Sequence, residues 1–102
     1  STTAATLLDL SAVFGVPSAV KAVLMSVGCA DSAAWGTNNL YFRCGPSSSY
    51  TNALIARCYG ADVWATYMGV VPCNADGDLW YEINASGPTT MDITIRIWGY
   101  WR

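Results

Sequence analysis

Turn-forming residues interrupt this chain at six places, and that spacing leaves room only for short elements. The punctuation falls at Gly15-Val16-Pro17, Gly36-Thr37-Asn38-Asn39, Gly45-Pro46-Ser47-Ser48-Ser49, Tyr59-Gly60, Asp76-Gly77 and Ser86-Gly87-Pro88. Between these points lie runs rich in β-branched and aromatic residues. Such a pattern predicts an all-β domain, a small antiparallel β-sandwich of jelly-roll-like kind with about seven or eight strands. The expected strands cover 6–14, 19–30, 38–44, 52–59, 61–68, 78–84 and 90–101.

The last run is the clearest. Met91, Ile93, Ile95 and Ile97 alternate with Asp92, Thr94, Arg96 and Trp98, the period-two pattern of a half-buried strand. Before it, Leu79, Tyr81 and Ile83 alternate with Asp78, Trp80, Glu82 and Asn84. The two runs read as an antiparallel hairpin closed by Ser86 to Thr90. Placing Glu82 opposite Asp92 would set like charges face to face. A slip of two residues puts Trp80 opposite Arg96, with Glu82 diagonal to it, and is the preferred register. Val20, Val23, Leu24 and Val27 also fit a helical spacing after Pro17, but Gly28 and the β-branched content favour a buried strand.

A chain of 102 residues makes one domain, 1–102. Charged residues supply only 12% of it, while five Trp, six Tyr and two Phe contribute a large apolar payload, which excludes disorder. Lys21, Arg43, Arg57, Arg96 and Arg102 stand apart, so no basic run points to nucleic acid. The chain has no His, which removes Ser-His-Asp and Cys-His catalysis and histidine-ligated metals. Its longest apolar run, Ala22 to Ala30, is too short to span a membrane. It begins at Ser1 without a basic, then apolar leader, so an exported form would already have lost its signal.

Cys29, Cys44, Cys58 and Cys73 fall at intervals of 15, 14 and 15, with no CxxC pair. An even number of cysteines in a short chain reads as two disulfides in an oxidising compartment, against the alternative of four buried thiols. All three connectivities stay open; bonds between sequence neighbours would each contribute roughly 3 kcal/mol.

The first fourteen residues form an expected strand or arm. Leu8, Leu10, Ala12 and Phe14 would share one face, with Asp9 and Ser11 on the other and a small polar lead from Ser1 to Ala5. Such an arm either closes the sheet of its own subunit or adds to the open edge of a neighbour.

Asn74, Asp76 and Asp78 offer oxygens at alternating positions around a tight turn, a weak calcium arrangement without a bidentate Glu. A plain turn at Asp76-Gly77 explains them better. No other metal or cofactor motif is present. Asn84-Ala85-Ser86 is an N-glycosylation sequon, and Ser47-Ser48-Ser49 beside Thr51 is a weaker O-glycan candidate. Trp98 and Tyr100, with Trp80 on the adjoining strand, are expected to face outward together near Arg96, Glu82 and Asn84. Such a face suits sugar stacking or contact with another subunit, and the scarcity of charge favours the subunit. Glu82 with Asp78 or Asp92 could mimic a glycosidase pair, but no nucleophile or phosphate motif accompanies them, so no enzymatic activity is expected.

Four stretches carry a resemblance: Phe14 to Met25; Asp31 to Phe42 with Gly45-Pro46; Gly69 to Tyr81; and the ending Ile97-Trp98-Gly99-Tyr100-Trp101. They resemble small β-sandwich modules of phage tail-fibre-like and uncharacterised extracellular surface proteins. The resemblance implies a β-sandwich with no catalytic residues to carry over. The cysteines and the lack of a stalk sequence depart from it and strengthen a self-assembling subunit. The expectation is a structural protein of a virion appendage or extracellular filament. It would be a homo-oligomer or polymer built through Leu8, Leu10, Phe14, Trp80, Arg96, Trp98, Tyr100 and Trp101. A carbohydrate-binding module that takes surface glycans is the alternative.

Overall fold

The computed structural model describes residues 3–33, 40–58 and 60–102. Among them the chain forms β1 (Thr3–Leu8), α1 (Leu10–Phe14), β2 (Ala22–Asp31), β3 (Tyr41–Gly45), β4 (Leu54–Arg57), β5 (Ala65–Pro72), β6 (Leu79–Asn84) and β7 (Met91–Trp101). One antiparallel sheet runs in the order β1-β6-β3-β4, the other in the order β5-β2-β7. The chain is mostly β, with two sheets packed face to face.

Period-two alternation builds the core. Val23, Met25, Val27 and Cys29 of β2, with Val71 of β5, meet Phe42, Cys44, Ala56 and Leu79 of the other sheet, and all are buried. Each large side chain so buried contributes roughly 1.5–3 kcal/mol. Phe42 stacks on Tyr81 with ring centroids 5.7 Å apart. The segment that also fits a helical spacing is therefore a strand, the central one of its sheet.

The expected strand 6–14 divides in two. β1 ends at Leu8, and Asp9 then caps a helix, its Oδ1 accepting from the Ala12 amide at 3.1 Å and the Ser11 hydroxyl at 2.8 Å. Gly15, at φ 70°, closes the turn in the left-handed region. Leu8, Leu10 and Phe14 consequently do not line one strand face. Leu10 is wholly buried, while Leu8 and Phe14 pack partly buried against the core. β1 pairs with β6 of its own chain, Leu7 opposite Trp80 and Leu8 opposite Leu79.

The expected hairpin between the last two strands does not form, because β6 and β7 belong to different sheets. The connecting turn crosses the sandwich and is fastened to β2 instead. The buried Asp31 carboxylate accepts from the Ser86 amide at 3.1 Å, from the Ser86 hydroxyl, and from the Thr90 hydroxyl at 3.1 Å. Ser32 N–H donates to Thr90 O at 3.0 Å. Trp80 therefore does not face Arg96; its neighbours are Leu7 and Gly45, and Arg96 lies opposite Ser26. The expected strand 61–68 is displaced to β5, 65–72. Strands expected at 19–30, 38–44, 52–59 and 78–84 overlap β2, β3, β4 and β6, except that positions 38, 39 and 59, and the turn at Gly36 to Asn39, lie outside the described residues.

Candidate functional site

The two outer faces of the sandwich differ in kind. On the four-stranded sheet, the cross-strand pair Arg43 and Glu82 forms an ion pair at 3.2 Å, and the Thr51 hydroxyl donates to the other Glu82 oxygen at 2.5 Å. The Thr51 hydrogen bond, followed by the Arg43 guanidinium, holds the Glu82 carboxyl below the usual carboxylate range. Arg43 also lies 4.9 Å from the centre of the Tyr41 ring. The charges of this face are paired within it, although the buried Arg43 Nε has no hydrogen-bond partner among the described residues.

The outer face of β5-β2-β7 is shaped differently. Its central strand presents Ser26 and Gly28, so the middle of the face is low. Met68 and Val70 of β5 rise on one side, and Arg96 and Trp98 of β7 on the other. Trp64, just before β5, lays its indole over Gly28, where a Cβ atom would meet the ring at 3.5 Å. Between these walls lies a hollow of about 320 Å³ lined by Ser26, Gly28, Trp64, Thr66, Thr94 and Arg96. Trp64, Met68, Val70, Trp98 and Trp101 are each at least half exposed.

A bulge sets which aromatics share this face. Met25 pairs with Ile97 and Leu24 with Gly99, leaving Trp98 as the extra residue. Its indole Nε1–H donates to the Ser26 hydroxyl at 2.9 Å, which pins the ring beside the hollow. Beyond the bulge the alternation shifts. Tyr100 falls opposite Val23, on the core side at the end of the sheet, and Trp101 takes the outer position opposite Ala22. Trp98 thus keeps company with Trp101 rather than Tyr100, and Trp80 stands on the opposite outer face.

The remaining candidates are placed as follows. Asn74 Oδ1 accepts from the Asp76 and Asp78 amides, each at 2.9 Å, and Asp78 Oδ1 accepts from the Leu10 amide at 3.1 Å, so these oxygens serve a turn between sheets. Asn84, half-buried, ends β6 opposite Tyr41, and the sequon hydroxyl of Ser86 is bound to Asp31. Glu82 and Asp92 face outward from different sheets and form no carboxylate pair. The Cys29 and Cys58 sulfurs lie 3.0 Å apart and unbonded, both buried. Burial pushes the Cys44 thiol up to about 12 and the Cys73 thiol up to about 11, with the neighbouring charges of Cys73 and Asp78 acting in the same direction.

Sequence reasoning does not single out Asp31, Trp64, Met68 and Val70, nor Ser26, Thr66 and Thr94 of the hollow. Trp64, Thr66, Met68 and Val70 do alternate, but an expected strand ending at 68 stops before Val70 and hides the stripe. Comparison with known proteins finds no family model, no curated protein and no solved structure that matches this chain. Among the described residues, no helix is long and apolar enough to cross a membrane.

Proposed function

We propose that the protein is a non-enzymatic structural subunit of an extracellular assembly, a filament or a virion appendage of tail-fibre-like kind, that associates with copies of itself. The observation that carries the reading is the cluster of Trp64, Met68, Val70, Trp98 and Trp101 exposed on one sheet face. Large apolar patches with a polar rim mark association surfaces, and Trp, Met and Arg are enriched there. On the opposite face, Leu7 alone of the large apolar strand residues is strongly exposed among the described residues, beside the half-buried Trp80 and the Arg43–Glu82 pair. A jelly-roll-like reading is supported by the path of the chain, which stays in one sheet only between β3 and β4. An oxidising location is supported by Cys29 and Cys58, whose sulfurs are near enough to join the sheets covalently.

Light scattering and negative-stain electron microscopy of the purified protein test the proposal. Regular assemblies are expected, and Met68→Glu combined with Trp98→Ser disperses them while circular dichroism stays that of the folded protein. A monodisperse monomer at high concentration overturns the reading.

A carbohydrate-binding role is the second reading, favoured by the hollow itself. The Trp64 ring and the hydroxyls of Ser26, Thr66 and Thr94 would stack and hydrogen-bond a sugar, with Arg96 at the rim. Glycan binding that Trp64→Ala abolishes in a monomeric protein would select it.

A further inference from the structure

We infer that two copies join through the free edge of β7, antiparallel about Thr94, to make one continuous six-stranded sheet. This rests on the self-association proposed above and names the partner surface as a second copy of β7.

Among the described residues, β7 pairs with β2 on one side and with no strand on the other. It is also the least protected edge. β1 is short and irregular in register between Thr3 and Thr6, β4 has four residues, and β5 ends in Pro72. β7 runs for 11 residues without Pro or Lys, and its charged residues Asp92 and Arg96 point away from the core. Its one bulge, at Trp98, lies past the regular stretch Met91–Ile97, and an exposed edge free of Pro, Lys and bulges along such a stretch is a template for another strand. Beside it, the space between the sheets opens into an apolar hollow of about 250 Å³ lined by Leu8, Phe42, Tyr81, Ile83, Ile93 and Ile95.

The sequence of β7 is complementary to itself in one register. In antiparallel pairing, residues opposite one another share a face, so only shifts that keep apolar against apolar are allowed. Centring on Thr94 sets Asp92 against Arg96 of the copy, twice by symmetry. On the core side it sets Ile93 against Ile95, and Met91 against Ile97. Centring on Asp92 or on Arg96 places like charges face to face, and centring on Ile93 or Ile95 leaves both charges without an opposite charge across the edge, so the Thr94 register is favoured. Neither charge forms an ion pair among the described residues, so both are available. The two-fold axis is the isologous symmetry of the commonest dimers. It leaves both aromatic outer faces on the same side of the joined sheet.

Charge exchange tests the register. Asp92→Arg alone and Arg96→Asp alone each bring like charges together, and each is expected to raise the dissociation constant roughly tenfold or more. Mixing the two variants restores opposite charges at both contacts and gives a one-to-one heterodimer, read by light scattering and native mass spectrometry. Both positions are exposed, so folding is expected to survive, as circular dichroism checks. Wild-type protein that associates as tightly as either variant, or variants that stay apart when mixed, overturns the β7 contact while leaving self-association standing. A wild-type monomer overturns both.

Discussion

Cys29 Sγ and Cys58 Sγ stand 3.0 Å apart across the core, the first on β2 of one sheet and the second just past β4 of the other. Oxidation would join the sheets opposite the open β7 side. The two thiols lose two protons and two electrons to a disulfide oxidant such as oxidised glutathione, which leaves as two thiols. Burial raises both thiol pKa values, which slows the exchange once the sheets have closed. Trypsin plus cleavage before Asp places each cysteine in its own fragment: 22–30, 44–57, 58–61 and 62–75. After refolding in a glutathione redox buffer, 22–30 is expected linked to 58–61. A link from 22–30 to either other fragment, or its recovery as an alkylated thiol, rejects the pairing. Reduction is expected to cost about 3 kcal/mol, read from urea unfolding.

Asp31 should govern the acid limit of stability. Burial alone would raise its pKa, but donors from Ser86, Ala33 and Thr90 outweigh that and hold the carboxyl below the ordinary range. A pKa lowered by folding contributes stability that is full above the unfolded value, near 3.9, and is lost as pH falls through the folded one. The urea midpoint is therefore expected to fall below about pH 4. Asp31→Asn turns an NH2 group toward amide or hydroxyl donors and is expected to cost roughly 2–3 kcal/mol at neutral pH, with a flatter acid limb. Equal acid limbs in the two proteins would contradict this role.

The same residue explains much of what the sequence left hidden. Alternation in 79–83 and 91–97 identified both strands and their buried sides, because pleat geometry is local. It could not say that the strands lie in different sheets, since Ser86-Gly87-Pro88 reads as a hairpin turn unless the distant Asp31 is known to hold it. Asp9 and Gly15 are local signals for a short helix, but the apolar spacing from Leu8 to Phe14 fits a strand as well. The aromatic face was legible in composition and in Trp98. Its membership was not, because one bulge between Ile97 and Gly99 exchanges Tyr100 for Trp101.

Leu10→Asp separates an arm from a core residue. A docking arm would lose assembly and keep its fold. In the structure Leu10 is wholly buried in α1, packed in the main core. The substitution is therefore expected to unfold the monomer, and Leu10→Ala to cost roughly 2–5 kcal/mol in chemical denaturation. A well-folded Leu10→Asp protein that only fails to assemble would contradict the observed packing.

Two glycines in β-strands should respond oppositely to Ala. At Gly45, a Cβ would stand 2.1 Å from the Tyr50 carbonyl oxygen and 3.0 Å from its carbon, atoms of backbone held by the Ser47–Tyr50 turn. That turn cannot yield without breaking its hydrogen bond, Tyr50 N–H to Ser47 O at 3.1 Å, so Gly45→Ala is expected to destabilise by about 2 kcal/mol or more. At Gly28 the nearest atoms are the Trp64 ring at 3.5 Å and the Thr66 hydroxyl at 3.6 Å, ordinary contact distances. Ala there adds a contact and removes the entropic cost of glycine in a strand, so stability should hold or rise by up to about 1 kcal/mol. Thermal unfolding of the two variants reads the difference. A loss at Gly28 equal to that at Gly45 would mean that the Trp64 ring lies closer to β2 than observed.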